Sequence, residues 1–174
     1  MSLSLVPARV FSSYAAVTPE YLADRGVRLL LSDLDFTLAP KSCPAPDEAV
    51  RAWIASMQRA GIEVMILSNN RSPVRVERFC KDLGIRYIGW TKKPWPPGFR
   101  RARALTGVPA GETAMLGDKL LTDMLGANLN AASRSWSNRW AARSRRGRRC
   151  CMHSRALSRL SRGRNNTPQA HFFR

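Results

Sequence analysis

The chain of 174 residues is 44% hydrophobic and carries a formal net charge of +17 from 29 basic and 12 acidic residues. Residues 129–174 hold 12 arginines and no lysine, aspartate or glutamate, so residues 1–128 have a net charge of only +5. This division predicts one ordinary globular domain over residues 1–128 and a disordered basic tail over residues 129–174. No apolar run approaches the ~20 residues that a membrane span needs, so the sequence predicts no transmembrane segment.

Four apolar runs, each bounded by glycine or polar residues, predict buried β-strands at residues 27–33, 62–68, 85–90 and 112–118. The segments that follow them predict helices at residues 44–61, 72–84, 96–105 and 119–128. In the first helix, Val50, Trp53, Ile54 and Met57 recur at the spacing of one helix face. Strands that alternate regularly with helices predict an α/β fold with a Rossmann-like, doubly wound parallel sheet.

The first predicted strand ends on two carboxylates, Asp33 and Asp35, which are separated by a single leucine. Two like charges at this spacing repel each other, and removing either from water is costly. A divalent cation between them would offset both effects. Hard oxygen ligands in a compact site favour Mg²⁺ (Mg2+), which binds through one or two carboxylates together with phosphate oxygens.

Other polar residues follow the remaining strands. Ser68 ends the second strand, Lys93 comes shortly after the third, and Asp118 ends the fourth. Because ligands of parallel α/β sheets bind outside the carboxyl ends of the strands, we expect these side chains to converge with the two aspartates. A hydroxyl, the neighbouring Asn69 and an ammonium are groups that hold a phosphate, and a carboxylate can attack phosphorus.

The segments "DLDFTL", "SNN", "KKP" and "GDKLLTD" resemble, in order, the four motifs of the haloacid dehalogenase (HAD) superfamily of phosphatases. The resemblance covers about residues 5–128 and is nearest to subfamily IIIA, the YqeG-type phosphatases, and through them to the mitochondrial-type phosphatidylglycerophosphate phosphatases. No cap domain is evident between Asp33 and Ser68 or between Ser68 and Lys93. The resemblance therefore implies a capless core with an open site.

The resemblance implies roles for three residues of the first motif. Asp33 would be the nucleophile and a magnesium ligand. Asp35 would be the general acid and base, with its backbone carbonyl on the metal. Thr37 would lie in the turn that positions Asp35 and so contribute to the substrate site.

Five later residues receive roles in the same way. Ser68 would bind the transferring phosphoryl group, helped by the backbone amide of Asn69. Lys93 would steady the charge of the nucleophile and the phosphate. Asp118 would be the second acidic magnesium ligand, and Asp123 would support it from the start of the last helix.

Two positions depart from the family pattern. Phe36 stands where the family usually has asparagine, and a phenylalanine cannot make the side-chain hydrogen bonds of that turn. Lys119 stands where glutamine is usual, so that an extra cation either competes with the metal or aids phosphate binding. Trp90 and Trp95 flank the lysine motif, where packing and lining of the site mouth are both open interpretations.

The tail is a larger departure, because the family continues after the "GAN" of residues 126–128 with a further apolar strand and a closing helix. Here the chain becomes basic and lacks a strand-like apolar run, so we expect the sheet to lack its last strand and helix. Our leading hypothesis is a reading-frame shift near codon 129. The alternatives are a disordered arm that binds nucleic acid and an anchor on anionic lipid.

The combined expectation is a magnesium-dependent phosphatase acting on a phosphate monoester, with phosphatidylglycerophosphate at a membrane surface as the family-level substrate. The alternatives are a sugar- or nucleotide-phosphate phosphatase and a catalytically impaired domain whose basic tail binds nucleic acid. No specific nucleic-acid partner is expected, and the oligomeric state is left open. The spacing of the four cysteines shows no disulfide framework, which favours the cytoplasm, with peripheral membrane attachment as the alternative.

Overall fold

The computed structural model describes residues 7–130, 132 and 134–138. Six strands lie in this part of the chain: β1 (Arg9–Phe11), β2 (Leu29–Ser32), β3 (Glu63–Leu67), β4 (Arg86–Ile88), β5 (Thr113–Gly117) and β6 (Arg134–Asn138). They form one parallel sheet in the order β1-β6-β5-β2-β3-β4. This sheet confirms the predicted α/β fold class.

Five α-helices connect these strands: α1 (Pro19–Ala23), α2 (Glu48–Arg59), α3 (Pro73–Lys81), α4 (Pro96–Thr106) and α5 (Leu125–Leu129). Two 3-10 turns span Tyr14–Ala16 and Ala110–Glu112, and a π-helical turn at Leu120–Met124 leads directly into α5. In the described part of the chain, no helix combines the length and the apolar character that a membrane crossing requires.

The core lies on both faces of the sheet, because successive side chains of a strand point in opposite directions. Leu30 of β2 packs in a cluster with Trp53 of α2 and Phe79 of α3. Leu31, the next residue, packs on the opposite face in a cluster that includes Phe99 of α4. Helices therefore cover both faces, as the doubly wound arrangement requires, and β2 is buried along its whole length.

Local sequence signals explain where the helices begin and end. The carboxylate of Asp47 accepts a hydrogen bond of 2.9 Å from the backbone N–H of Val50 at the start of α2, which satisfies one free helix donor. Gly61 follows the end of α2 with φ +73°, and Gly107 ends α4 with φ +70°. Glycine adopts this left-handed conformation without steric cost, so the chain can turn back towards the sheet.

The structure differs from the sequence analysis at the edge of the sheet. Strand β6 lies within the tail for which we expected no strand, and it pairs with β5 on one side and β1 on the other. An extended segment can satisfy a sheet edge through its backbone groups alone, so the apolar run we looked for is not required. The boundary placed at residue 128 falls inside α5.

Two further sequence expectations concern the tail and the cysteines. The frame-shift, nucleic-acid and lipid hypotheses for the tail fall mainly on residues 139–174, which lie outside the described residues. Cys80 is a buried free thiol, and two of the four cysteines, Cys150 and Cys151, lie outside the described residues.

Candidate active site

The site lies at the carboxyl edge of the sheet, where the loops after β2, β3, β4 and β5 meet. Asp33 follows β2, Ser68 follows β3, and Lys93 lies in the loop after β4. All three line one cavity of about 340 Å³ together with Asp35 and Lys119. The strands are parallel and in register, so their carboxyl ends bring together groups that are far apart in the sequence.

Lys93 forms the centre of the site. Its ammonium donates hydrogen bonds to the Leu67 carbonyl at 2.5 Å and to Asp33 Oδ1 at 3.1 Å. It also lies 2.7 Å from Asp123 Oδ1. The Lys93 side chain is only 1% exposed, so its charge is balanced by two buried carboxylates rather than by water.

Burial and charge shift the ionisation of these groups. Burial raises the pKa of Asp33 to about 6, against the opposing influence of Lys93. For Lys93, burial alone would lower the pKa, but the carboxylates of Asp33 and Asp123 outweigh it and raise the pKa above its ordinary value. Burial also raises the pKa of Asp118, and the nearby ammonium of Lys119 opposes that shift. The site thus concentrates carboxylates whose charged form is costly until a cation is present.

Three of these carboxylates could hold a metal ion. One oxygen each of Asp33, Asp118 and Asp123 lies within 4.8 Å of the other two. Oδ1 of Asp118 is buried and has no hydrogen-bond partner within the described residues. Hard carboxylate oxygens that converge in this way fit a divalent cation such as Mg²⁺. The side chain of Asp35 is not part of this cluster. The expectation from the sequence was that only the backbone carbonyl of Asp35, and not its carboxylate, would contact the metal.

Gly117 leaves room for one member of the cluster. A β-carbon on Gly117 would overlap the carboxylate carbon and one oxygen of Asp123, which is completely buried. The Asp123 carboxylate also accepts a hydrogen bond of 3.1 Å from the backbone N–H of Lys119. Sequence reasoning did not single out this glycine, although it stands directly before Asp118 in the "GDKLLTD" segment.

Asp35 faces the same cavity but has different partners. Its Oδ1 accepts a hydrogen bond of 3.0 Å from Nε of Arg75, and its Oδ2 accepts one of 3.0 Å from Nδ2 of Asn70. Arg75 also donates to the backbone carbonyls of Pro40 and Cys43. Neither Arg75 nor Asn70 was predicted as a site residue. Asn70 belongs to the "SNN" segment, but Arg75 lies on a helix and carries no motif signal.

The residues after β3 organise the loop that carries the lysine. Oδ1 of Asn69 accepts hydrogen bonds from the backbone N–H of Lys93 at 2.7 Å and from the Thr91 hydroxyl at 2.8 Å. Its Nδ2 donates to the Lys93 carbonyl at 3.0 Å. Oγ of Ser68 accepts a hydrogen bond of 3.1 Å from the backbone N–H of Asn70 and lines the cavity. The side chain of Asn69 therefore holds the lysine loop in place.

The turn after Asp35 contains the unusual phenylalanine. Phe36 has φ +67°, a left-handed conformation that a side chain of this size rarely adopts. Its backbone N–H donates to the Ala39 carbonyl at 2.9 Å, which closes the turn. Thr37, the next residue of this turn, is completely buried and does not line the cavity.

Comparison of the sequence with known proteins identifies the family to which the chain is similar. The family model of haloacid dehalogenase-like hydrolases matches residues 12–129. The chain is 38% identical over 114 residues to the probable phosphatase YqeG of Bacillus subtilis, an alignment that covers 66% of each protein. The chain thus spans slightly less than two thirds of the length of this relative.

Two solved structures share the fold at low sequence identity. One is the cobalt-bound deoxy-D-mannose-octulosonate 8-phosphate phosphatase of Haemophilus influenzae, with a TM-score of 0.54, 22% identity and coverage of 65% of this chain and 69% of that one. The other is CbbY of Rhodobacter sphaeroides in complex with phosphate, with a TM-score of 0.50, 17% identity and coverage of 64% of this chain and 86% of that one. At these identities the two structures show the fold alone.

Proposed function

Because the chain belongs to the haloacid dehalogenase-like hydrolases, we propose that it is a phosphatase that hydrolyses a phosphate monoester through an aspartyl-phosphate on Asp33. The observation that carries this proposal is that Asp33, Asp35, Ser68 and Lys93 line the same cavity. Phosphoryl transfer needs positioning and charge neutralisation more than covalent assistance. A buried nucleophilic carboxylate beside an ammonium and a hydroxyl supports that chemistry.

The reaction proceeds in two steps at phosphorus. An oxygen of Asp33 forms a bond to phosphorus while the bond to the leaving alcohol breaks, and Asp35 gives a proton to the leaving oxygen. Water then attacks phosphorus, Asp35 takes a proton from it, and the bond to Asp33 breaks to release inorganic phosphate. Each oxygen of Asp35 accepts one hydrogen bond, from Arg75 or Asn70, so lone pairs remain for the transferred proton.

Charge on the phosphoryl oxygens is balanced by the cations of the cavity. Lys93 contacts Asp33 directly, and the Lys119 ammonium lies 3.9 Å from Oδ2 of Asp33. The Ser68 hydroxyl and the backbone amide of Asn69 bind the transferring group, as the resemblance to the family implies. Preorganised donors of this kind stabilise charge without reorganisation at the moment of reaction.

The proposal includes a magnesium ion held by Asp33, Asp118 and the backbone carbonyl of Asp35. Asp123 is the supporting acid assigned from the sequence, and its carboxylate belongs to the same cluster. A divalent cation supplies further neutralisation of the phosphate charge when bound. The buried Oδ1 of Asp118, which has no hydrogen-bond partner among the described residues, supports a cation at this position.

The proposed substrate is phosphatidylglycerophosphate at a membrane surface, for a protein located in the cytoplasm. This substrate rests on the resemblance of the motifs and on analogy. The open cavity at the sheet edge suits an ester with a bulky leaving group. Phosphate release from vesicles that contain this lipid, compared with release from sugar and nucleotide monophosphates, separates the lipid substrate from the soluble alternatives. Faster turnover of a soluble ester would overturn the lipid assignment.

Hydrolysis of p-nitrophenyl phosphate tests the activity itself. We expect phosphate release with magnesium, none with EDTA, and none from Asp33→Asn. The exposed Asp24→Asn is a control with the same chemical change and should retain the activity. Activity that persists in Asp33→Asn would overturn the assignment of the nucleophile, and a folded protein without any phosphate release would overturn the phosphatase function.

A further inference from the structure

A second cavity lies beside the catalytic one, after strand β4. It has a volume of about 420 Å³ and shares Asn70 and Arg71 with the catalytic cavity. The rest of its lining includes Tyr87, Trp90 and Arg101. Because the same two residues border both cavities, the second cavity lies directly next to the catalytic one.

The second cavity is positively charged. Arg71 and Arg101 line it, no acidic residue does, and neither arginine forms an ion pair within the described part of the chain. By contrast, Arg86 on the neighbouring strand β4 is paired with Glu63. The charge of the two cavity arginines is therefore available to a ligand.

Aromatic packing and backbone geometry hold this cavity in shape. The Arg71 guanidinium lies over the Trp90 ring, 4.7 Å from its centroid, and the Lys92 ammonium lies 5.9 Å from the same centroid. Trp90 and Lys92 both have positive φ, 52° and 53°, a costly conformation for residues other than glycine. Between them, Thr91 ties the loop to the end of β3, because its backbone N–H donates to the Ser68 carbonyl at 3.1 Å and its hydroxyl donates to Oδ1 of Asn69 at 2.8 Å.

We propose that the second cavity binds a second anionic group, a phosphate or phosphodiester, on the leaving alcohol of the substrate. This inference rests on the proposed phosphatase function and specifies the substrate class of the same site. Arg71 and Arg101 bind the second anion, because the planar guanidinium donates paired hydrogen bonds to phosphate oxygens. A monoester without a second anion leaves these two charges unused.

Binding of molecules that cannot be hydrolysed tests the inference separately from catalysis. Alkane-1,n-bisphosphonates with three to eight carbons and the matching alkyl monophosphonates are titrated into the protein with magnesium by calorimetry. We expect at least one bisphosphonate to bind on the order of tenfold more tightly than its monophosphonate, since hydrogen bonds between charged groups contribute on this scale. Arg101→Gln should remove most of this preference, and Arg71→Gln should also reduce it.

Arg100→Gln is the matched control, because it makes the same change on the same helix at an exposed position outside the cavity lining. Equal binding of all bisphosphonates and monophosphonates, or an equal loss in Arg100→Gln and Arg101→Gln, would overturn the inference. A parallel assay of phosphate release from alkanediol bisphosphates and from phosphatidylglycerophosphate vesicles reports on the enzyme and distinguishes a soluble from a lipid source. No release from either, with the binding preference intact, overturns the phosphatase function but not the second anion site.

Discussion

The ammonium of Lys93 lies 2.7 Å from Oδ1 of Asp123, and neither side chain is more than 1% exposed. The same ammonium contacts Asp33, so one buried cation holds two buried carboxylates. Such an arrangement is costly to break, because removing the cation leaves uncompensated charge away from water. Lys93, for which we propose a catalytic role, is thus also a structural residue of the site.

Lys93→Met should therefore lower the free energy of unfolding strongly. We expect a loss of about 3–5 kcal/mol, the usual cost of removing one member of a buried ion pair. Lys92→Met makes the same change at the exposed neighbouring position and should alter stability by less than about 1 kcal/mol. Urea unfolding of the three proteins measures the difference. Equal stability of the two variants would show that Lys93 does not balance the buried carboxylates.

The raised pKa of Asp33 predicts how stability depends on pH in metal-free buffer. The ordinary pKa of 3.8 applies to the unfolded chain and a pKa of about 6 to the folded protein. Between these values the folded protein binds more protons, so the free energy of unfolding falls as pH rises from about 4 to about 6. Asp33→Asn removes this pH-dependent loss of stability, so the variant should be more stable than the unaltered protein at pH 7 by on the order of 1–3 kcal/mol.

Urea unfolding in EDTA at intervals from pH 4 to pH 8 measures this effect. Asp118 also has a raised pKa and contributes a slope of the same sign to both proteins, so the comparison is between slopes rather than between single values. Identical slopes in the two proteins would contradict the assignment of a raised pKa to Asp33.

Much of this fold could be predicted from the sequence, because the central strands carry the signal themselves. Strands β2, β3 and β5 are mostly apolar and buried on both faces, and parallel pairing then brings Asp33, Ser68 and Asp118 to one edge. The matches to the haloacid dehalogenase-like hydrolases confirm the family expected from the four motifs.

The elements that escaped prediction are those whose cause lies in tertiary structure. Strand β1 has three residues and β6 is polar, so neither shows a long apolar pattern, and both are defined by their backbone pairing in the sheet, where β6 lies between β1 and β5. Arg75 contacts Asp35 across 40 positions of the chain. A charged residue on a helix is usually solvated, and only the folded geometry places this one in the site.

Phe36 should be replaceable with a gain in stability. The left-handed conformation costs an ordinary residue about 1–2 kcal/mol, and asparagine tolerates it better than phenylalanine. We expect Phe36→Asn to stabilise the protein by about 1 kcal/mol in thermal or urea unfolding. The loss of the ring's contact with the Lys41 ammonium, which lies 5.8 Å from the ring centroid, reduces this gain in stability. Phe36→Ala loses the same ring but keeps the backbone cost. The prediction fails if the asparagine variant is no more stable than the alanine variant.

Arg75 should affect the rate of reaction through Asp35. It donates to Asp35 at 3.0 Å and also to the carbonyls of Pro40 and Cys43, so it fixes the carboxyl group relative to the turn. We expect Arg75→Gln to lower kcat for p-nitrophenyl phosphate by about tenfold or more, because misplacing an acid or base loses much of its contribution. Arg75→Lys should not restore kcat, since an ammonium cannot reproduce the planar contacts.

The control for Arg75 is Arg78→Gln, an exposed arginine on the same helix, which should leave kcat unchanged. Steady-state kinetics of the four proteins separate kcat from KM. A rise in KM with constant kcat would assign Arg75 to substrate binding instead of to the positioning of Asp35.

Lys119 should weaken magnesium binding, because its ammonium lies 3.9 Å from Oδ2 of Asp33 and 3.9 Å from Oδ1 of Asp118. The side chain is 52% exposed, so water screens much of the repulsion between the ammonium and a metal ion. A charge interaction near 4 Å in water amounts to about 1 kcal/mol, so Lys119→Gln should bind magnesium about three- to tenfold more tightly. Calorimetric titration of the metal-free protein with magnesium measures this affinity.

The salt dependence and a control variant test whether the effect is electrostatic. Because salt screens exposed charges, the gain in magnesium affinity of Lys119→Gln should shrink from low ionic strength to about 1 M salt. Lys92→Gln removes an exposed lysine outside the cavity lining and should leave magnesium affinity nearly unchanged. An equal affinity in Lys119→Gln and the unaltered protein would mean that this lysine acts on the phosphate rather than against the metal.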